Sequence, residues 1–253
     1  MERYPGRLLN LDANAKTVKG QAKGFKTAIL YLAPVKLSGF QVCPMASKGC
    51  AAACLNTAGR AGVFKAIERA RIAKTQFYFR NRDAFMAQLI GEITRFVAKT
   101  RREGFEPVVR LNGTSDILWE RVTISRETLL AAFPKMPAMV IQDYANIMAL
   151  FPDVTFYDYT KHIPSKRANL PANYSLTYSY SDDPAAADRS AEALAMGWNV
   201  AAVFRNALPE TFMGHPVVNG DESDLRFADD RGVVVGLKAK GKAKADTTGF
   251  VVD

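Results

Sequence analysis

Cys43, Cys50 and Cys54 are the chain's three cysteines, and all fall in the stretch Cys43-Pro44-Met45-Ala46-Ser47-Lys48-Gly49-Cys50-Ala51-Ala52-Ala53-Cys54. An odd, clustered set is poor material for a disulfide framework, whereas thiolates are soft ligands that suit zinc or iron–sulfur clusters. Structural zinc takes four protein ligands, and the two histidines, His162 and His215, lie far away along the chain. Three thiolates on a [4Fe–4S] cluster leave one iron open to a substrate or cofactor. The spacing of Cys50 and Cys54 puts them on one face of a helix, with Cys43 closing the triangle from a loop. Gly39 and Gly49 permit close backbone approach. A [4Fe–4S] cluster on Cys43, Cys50 and Cys54 is therefore the expectation. Zinc completed by a distant or intermolecular ligand, and three inert buried thiols, remain as alternatives.

The elements that must hold these residues follow from periodicity. Apolar strand candidates run over 27–33, 107–111, 154–159, 175–180, 199–204 and 232–237, with a shorter one around Val217 and Val218. Between them lie helical stretches at 63–79, 83–103, 125–133, 142–151 and 184–196. Over 83–103, Phe85, Met86, Leu89, Ile90, Ile93, Phe96 and Val97 recur at helical spacing, with Asp83 as N-cap and Gly104 as stop. Ser125 caps the next. Residues 35–62 read as a loop passing into a short helix, and residues 1–27 as an irregular lead-in. Alternating strands and helices predict an α/β fold with a mostly parallel sheet, as a partial (β/α) barrel. No repeat or long linker divides the chain, so residues 1–253 read as a single domain.

Polar residues follow nearly every strand: Asn112, Thr114, Ser115 and Asp116 after the second, Asp158, Thr160 and Lys161 at the end of the third. Later come Ser179 and Ser181, Arg205 and Asn206, then Asp221, Glu222 and Asp224. In parallel α/β folds the carboxyl ends of strands form the working face. The bland alternatives are a helix-capping Asp116 and an Asp158 paired to a neighbouring strand.

The stretches NAKT (14–17), SGFQVCPMASKGCAAACLNTAGR (38–60), RLNGTSDILWE (110–120), FYDYTK (156–161), YSLTYS (174–179), GWNVAAVF (197–204), NGDESDLRF (219–227) and VGLKAKGKAK (235–244) resemble the phage gene product 88 family. That resemblance implies a phage- or prophage-encoded protein and brings no reaction with it. A weaker likeness is to radical S-adenosylmethionine enzymes, which are similar in carrying three cysteines in the loop after the first strand of a partial barrel. Their usual C-x3-C-x2-C spacing is C-x6-C-x3-C here, and Asn112-Gly113-Thr114-Ser115-Asp116 stands where they carry a Gly-Gly-Glu-like stretch. The likeness implies S-adenosylmethionine chelated at the open iron and oriented by Asn112, Ser115 and Asp116. It also implies a substrate, of unknown identity, acted on by Asp158 and Lys161.

Composition bounds the partners. Apolar residues are 48% and charged residues 23%, which excludes a disordered chain. Lys and Arg number 34 against 25 acids, a net charge of +9 that suits polyanions. Basic residues crowd Arg60–Arg82, with Phe77, Tyr78 and Phe79 near its end, and Lys238, Lys240, Lys242 and Lys244 alternate with small residues on what an extended chain would make one side. Nucleic-acid binding, with the cysteines structural or zinc-bound, is the competing reading. No GxxxxGK[ST], GxSxG or HExxH motif occurs, and nothing in the sequence ties His162 or His215 to a cysteine. The stretch MERYPGRLLNLDANAKTVKG lacks a signal-peptide core, and no run approaches the ~20 apolar residues of a membrane helix. The expectation is a cytoplasmic protein, in the host cytoplasm if phage-encoded, without a membrane partner.

Overall fold

A computed structural model describes residues 3–11 and 15–253, without the side chains of Ala15 and Lys16, so Asn14 of the NAKT stretch lies outside the described residues. Ten strands form one open sheet: β1 (Leu9–Leu11), β2 (Phe25–Leu30), β3 (Glu106–Arg110), β4 (Thr155–Thr160), β5 (Tyr174–Ser179), β6 (Asn199–Phe204), β7 (Thr211–Phe212), β8 (His215–Asn219), β9 (Val234–Lys238) and β10 (Val251–Val252). The order is β1-β2-β3-β4-β5-β6-β9-β8-β7, with β10 also paired to β6. Only β1 against β2 and β7 against β8 are antiparallel. The helices are α1 (Ala15–Gln21), α2 (Lys48–Ala52), α3 (Gly59–Val63), α4 (Lys65–Arg80), α5 (Arg82–Arg102), α6 (Arg126–Ala132), α7 (Ile147–Leu150) and α8 (Ala186–Ala195). The fold is α/β with a mostly parallel sheet, and β2 to β6 run in sequential order, as in a barrel left open.

Register and alternation divide the sheet into two faces. Ala28, Val109, Phe156 and Tyr174 are neighbours across four strands. They share the main core with Phe85, Leu89, Ile90, Ile93 and Phe96 of α5. Burying a stripe of that kind against a sheet contributes about 1.5–3 kcal/mol per large apolar side chain. A smaller core joins Val200, Ala202 and Phe204 of β6 to Ala193 and Leu194 of α8. The other face carries Arg110 and Tyr157 and is covered by residues 223–229: Phe227 packs edge-on to Phe25 at 5.3 Å, and the Tyr157 hydroxyl donates to Asp224 at 3.0 Å.

Several local expectations change. The described part of residues 1–27 is not an irregular lead-in, since it holds β1 and α1 and begins β2. The N–H groups of Leu8 and Leu9 bond the Glu92 carboxylate on α5, and Lys74 donates to the Leu8 carbonyl at 2.7 Å, anchors that local sequence does not reveal. α5 is capped by Asn81, which accepts from the Ala84 N–H, rather than by Asp83, which sits in the first turn where its charge favours the helix dipole. Gly104 takes φ +77° just past its end, as a left-handed stop requires. Only 147–150 of the expected helix at 142–151 is helical, because Tyr144 bridges antiparallel to Ile124 and Asn146 caps α7. Residues 238–244 are not extended throughout. β9 ends at Lys238, and Gly241 at φ +56° starts a tight turn that buries Ala243 beside Ala53 and Val251.

Candidate metal centre at the strand ends

The cysteine loop follows β2 and lies over the carboxyl ends of the parallel strands. Val35 sits at φ +52°, a region that β-branched residues avoid, so strain is concentrated at this loop. Its N–H points to the Cys43 sulfur at 3.5 Å, and its carbonyl accepts from the Val42 N–H. The Cys43 thiol lies 3.7 Å from the Thr114 carbonyl beyond β3. Gly113 must be glycine there, since a Cβ would fall 2.8 Å from the Leu30 carbonyl and 2.6 Å from the Tyr31 ring. Cys50 is in α2, capped by Ser47. The helix ends at Ala52, and Cys54 is extended at φ −51°, ψ 137°, so the two cysteines do not share a helical face.

Asp182, after β5, clamps α2: it accepts from the Gly49 N–H at 2.9 Å and from the Ser47 hydroxyl. A Cβ on Gly49 would lie 2.0 Å from Thr248 Oγ1 and 2.7 Å from both Asp182 Oδ1 and the Phe250 Cβ. The Asp246 carboxylate holds that distant segment by accepting from the Val251 N–H and the Thr248 hydroxyl.

The three thiols feel one another. Burial pushes Cys43 up to about 12, with the Val35 N–H opposing and Asp116, Cys54 and Cys50 adding to the rise. Cys50 is raised by burial and pulled down by Lys161. Cys54 is raised by burial and pulled down by the Asn56 N–H and Arg71. Thiols in the metal-free chain are therefore protonated, and ligation would release their protons.

Two buried cations face them. Lys161 donates to the Ser179 carbonyl at 2.9 Å, the Ser179 hydroxyl at 2.7 Å and the Tyr180 carbonyl at 3.2 Å. Arg71 donates to Asn56 Oδ1 and stacks over Tyr31 at 4.7 Å. Burial lowers the pKa of both. Neither is ion-paired with a described carboxylate, although each is only 8% exposed.

The remaining strand-end residues divide into two groups. Asn112 and Ser115 hold their own loop: Asn112 Oδ1 accepts from the Ser115 hydroxyl, the Ile117 N–H and the Trp119 indole, and its amide donates to the Ile117 carbonyl. Asp116 caps no helix. Its Oδ2 accepts from the Lys161 N–H at 2.8 Å, and its Oδ1 has no hydrogen-bond partner, with Arg167 at 3.7 Å. Its carbonyl lies 3.1 Å from His162 Nε2, while His215 pairs with the Gly232 carbonyl. Asp158 is 1% exposed and lies beneath this layer, accepting from the Asn112 N–H at 2.7 Å and the Tyr174 hydroxyl at 3.0 Å, with Arg110 of the adjacent strand 4.0 Å away. Burial pushes it up to about 7 against the pull of Arg110.

Sequence reasoning misses Asp182, Arg71, Arg167 and the segment 246–250. Asp182 directly follows a strand end, which is the one signal that could have found it; the others arrive from distant parts of the chain. Within the basic stretch, Arg71, Lys74 and Tyr78 are buried, Phe77 joins the main core and Phe79 stacks on Phe40 at 4.6 Å, so these aromatics do not form an open platform.

Among the described residues, no group of three or more His, Cys, Asp or Glu side chains is placed to hold a metal ion. No described helix is long and apolar enough to cross a membrane.

Comparison with curated proteins and with solved structures finds no match. The gene product 88 family matches residues 8–253, and the chain belongs to that family.

Proposed function

We propose that this gene product 88 family member is a cytoplasmic iron–sulfur protein of phage type, with Cys43, Cys50 and Cys54 holding a [4Fe–4S] cluster. The observation that carries the reading is the pair of buried cations, Lys161 and Arg71, facing three neighbouring thiols with no described carboxylate in ion-pair contact, Asp116 and Asp182 acting on Lys161 only from further off. Buried charges are normally paired. Three thiolates around a cubane core leave a net negative charge, which these cations would balance. N–H groups directed at sulfur, from Val35 to Cys43 and from Asn56 to Cys54, are of the kind that tune cluster potential.

The weaker resemblance extends this to an enzyme of radical S-adenosylmethionine type. When bound, the cluster would supply the electron that cleaves S-adenosylmethionine. The chain's own residues supply the rest. Asp116, whose Oδ1 makes no hydrogen bond and only a long ion pair to Arg167, would take the cofactor's ammonium group, while its Oδ2 fixes the Lys161 backbone. Asn112 and Ser115 set the course of the loop that presents Asp116. Lys161 holds its protons on three oxygens and acts as a fixed positive charge beside Cys50. Asp158, below them, positions the start of that loop through the Asn112 N–H.

Anaerobic reconstitution with iron and sulfide tests the cluster: a brown protein with about 4 irons per chain is expected. Colourless, iron-free protein would overturn it. S-adenosylmethionine and a reductant should then yield 5′-deoxyadenosine, and an intact cluster giving none would remove the radical reading alone.

A further inference from the structure

Two basic segments that the sequence separates by about 180 residues meet in the fold. The turn at 241–245 packs on the 55–57 turn that follows Cys54, so closely that a Cβ on Gly241 would lie 3.0 Å from the Ala58 Cβ. Ala53 and Ala243 share one small apolar cluster beneath the contact. Lys242 and Lys244 are therefore carried to the side of the cysteine loop where Arg60 and Lys65 stand, and all four side chains are exposed.

Between these cations lies apolar surface. Phe64 is 53% exposed and Leu55 is 60% exposed, and both flank a centre whose cysteines are half-buried. The Arg60 guanidinium sits 5.9 Å from the Phe64 ring centroid, so one ring carries a cation at its face and remains half open. Leu55 is joined directly to the third cysteine, which ties the patch to the candidate centre.

We infer that this rim binds single-stranded nucleic acid, with Arg60, Lys65, Lys242 and Lys244 on the phosphates and a base stacked on Phe64. The inference rests on the proposed function for its purpose, since it names the substrate class presented to that centre; the binding surface stands on its own residues. Three features favour a single strand. Cations from two segments flank an aromatic ring, as a phosphate chain with splayed bases requires. The patch is built from turns, the five-residue α3 and the first residue of α4, so its cations lie on turns and helix ends rather than along one helix face that could enter a duplex groove. The net charge of +9 gives long-range attraction to a polyanion.

The test uses the full-length protein, purified anaerobically, and fluorescein-labelled oligothymidylate and oligouridylate of twenty nucleotides. Binding should weaken steeply with salt. The double variant Lys242→Glu, Lys244→Glu should weaken it about 10-fold or more and flatten the salt dependence by about 1.4 in logarithmic slope. Phe64→Ala should weaken it about 5-fold or more with the salt slope unchanged. All of these variants should keep their iron. Cys50→Ala should lose iron and still bind the oligonucleotide, so that failure of the cluster and failure of the rim are read separately. No oligonucleotide binding, binding indifferent to the charge reversal, or binding to phosphatidylserine vesicles in place of oligonucleotide would each overturn the inference.

Discussion

Buried charge is handled in two ways in this protein. Under the main sheet, Arg110 pairs with Asp224 at 3.1 Å, the Tyr157 hydroxyl donates to the same carboxylate, and Asp158 completes the group. Arg167 forks onto Glu120 at 2.8 and 2.7 Å. These cations have acidic partners and the network is closed. At the cysteine loop, Lys161 and Arg71 are as buried but make their direct contacts to neutral oxygens and rings beside the thiols, with the Asp116 and Asp182 carboxylates acting on Lys161 only from beyond ion-pair distance. A closed network stabilises one conformation; an open one is ready for an anion the chain does not itself supply. Substitutions in the two regions should therefore fail differently.

The largest difference should come from the thiols. Replacing any one of Cys43, Cys50 or Cys54 by Ala should drop reconstituted iron from about 4 per chain to below about 1, with little effect on unfolding of the metal-free protein. Iron analysis beside urea titration reads both, and iron retained by all three variants would end the comparison. Next is the closed network: Arg110→Met leaves Asp224 buried and unpaired, and should cost about 3–5 kcal/mol in urea unfolding. A loss within experimental scatter would show that network to be dispensable.

Lys161→Met should invert that pattern. It removes a desolvated cation, so the metal-free chain should lose no more than about 1.5 kcal/mol, the scale of its hydrogen bonds to neutral oxygens. Cluster retention on gel filtration should nonetheless fall. Equal losses for Arg110→Met and Lys161→Met in the metal-free state would erase the distinction between the regions.

The last effect is a slope. Asp158 is held at about 7 by burial, above its ordinary 3.8, so it binds more protons folded than unfolded between those values. Its stabilising contribution is full below about pH 4 and is lost as pH rises through about 7. Asp158→Asn should remove that part of the fall in stability, making unfolding free energies at pH 5 and pH 8 more alike than in the wild type. A wild-type-like slope in the variant would assign the titration elsewhere.

Much of the architecture was legible because burial imposes a period. NVAAVF reads as β6 to the residue, and the apolar repeat of 83–103 reads as α5 within one residue at each end. What escaped was short or non-local. β7 and β10 have two residues each, too few for any alternation, and exist because a neighbouring strand offers free backbone groups. The polar strand ends were visible, but residue type alone did not say which side chains turn inward. Asn112 and Ser115 bond within their loop, whereas one oxygen of Asp116 makes no hydrogen bond and faces Arg167. The cysteine cluster was plain, yet its surroundings were not. Arg71, Asp182 and Phe250 reach it from α4, the loop after β5 and the segment before β10, three places that share no local pattern.

The contact of Gly49 with Thr248 and Phe250 also sets an order of events during synthesis. Of all the segments that build the cysteine loop's surroundings, residues 246–252 leave the ribosome last. Until they emerge, β6 lacks its parallel partner β10, and α2 lacks the wall formed by Thr248 and Phe250. The wall beside Cys50 is thus the last part of the site's surroundings to be synthesised, and α2 can take its final packing only after it.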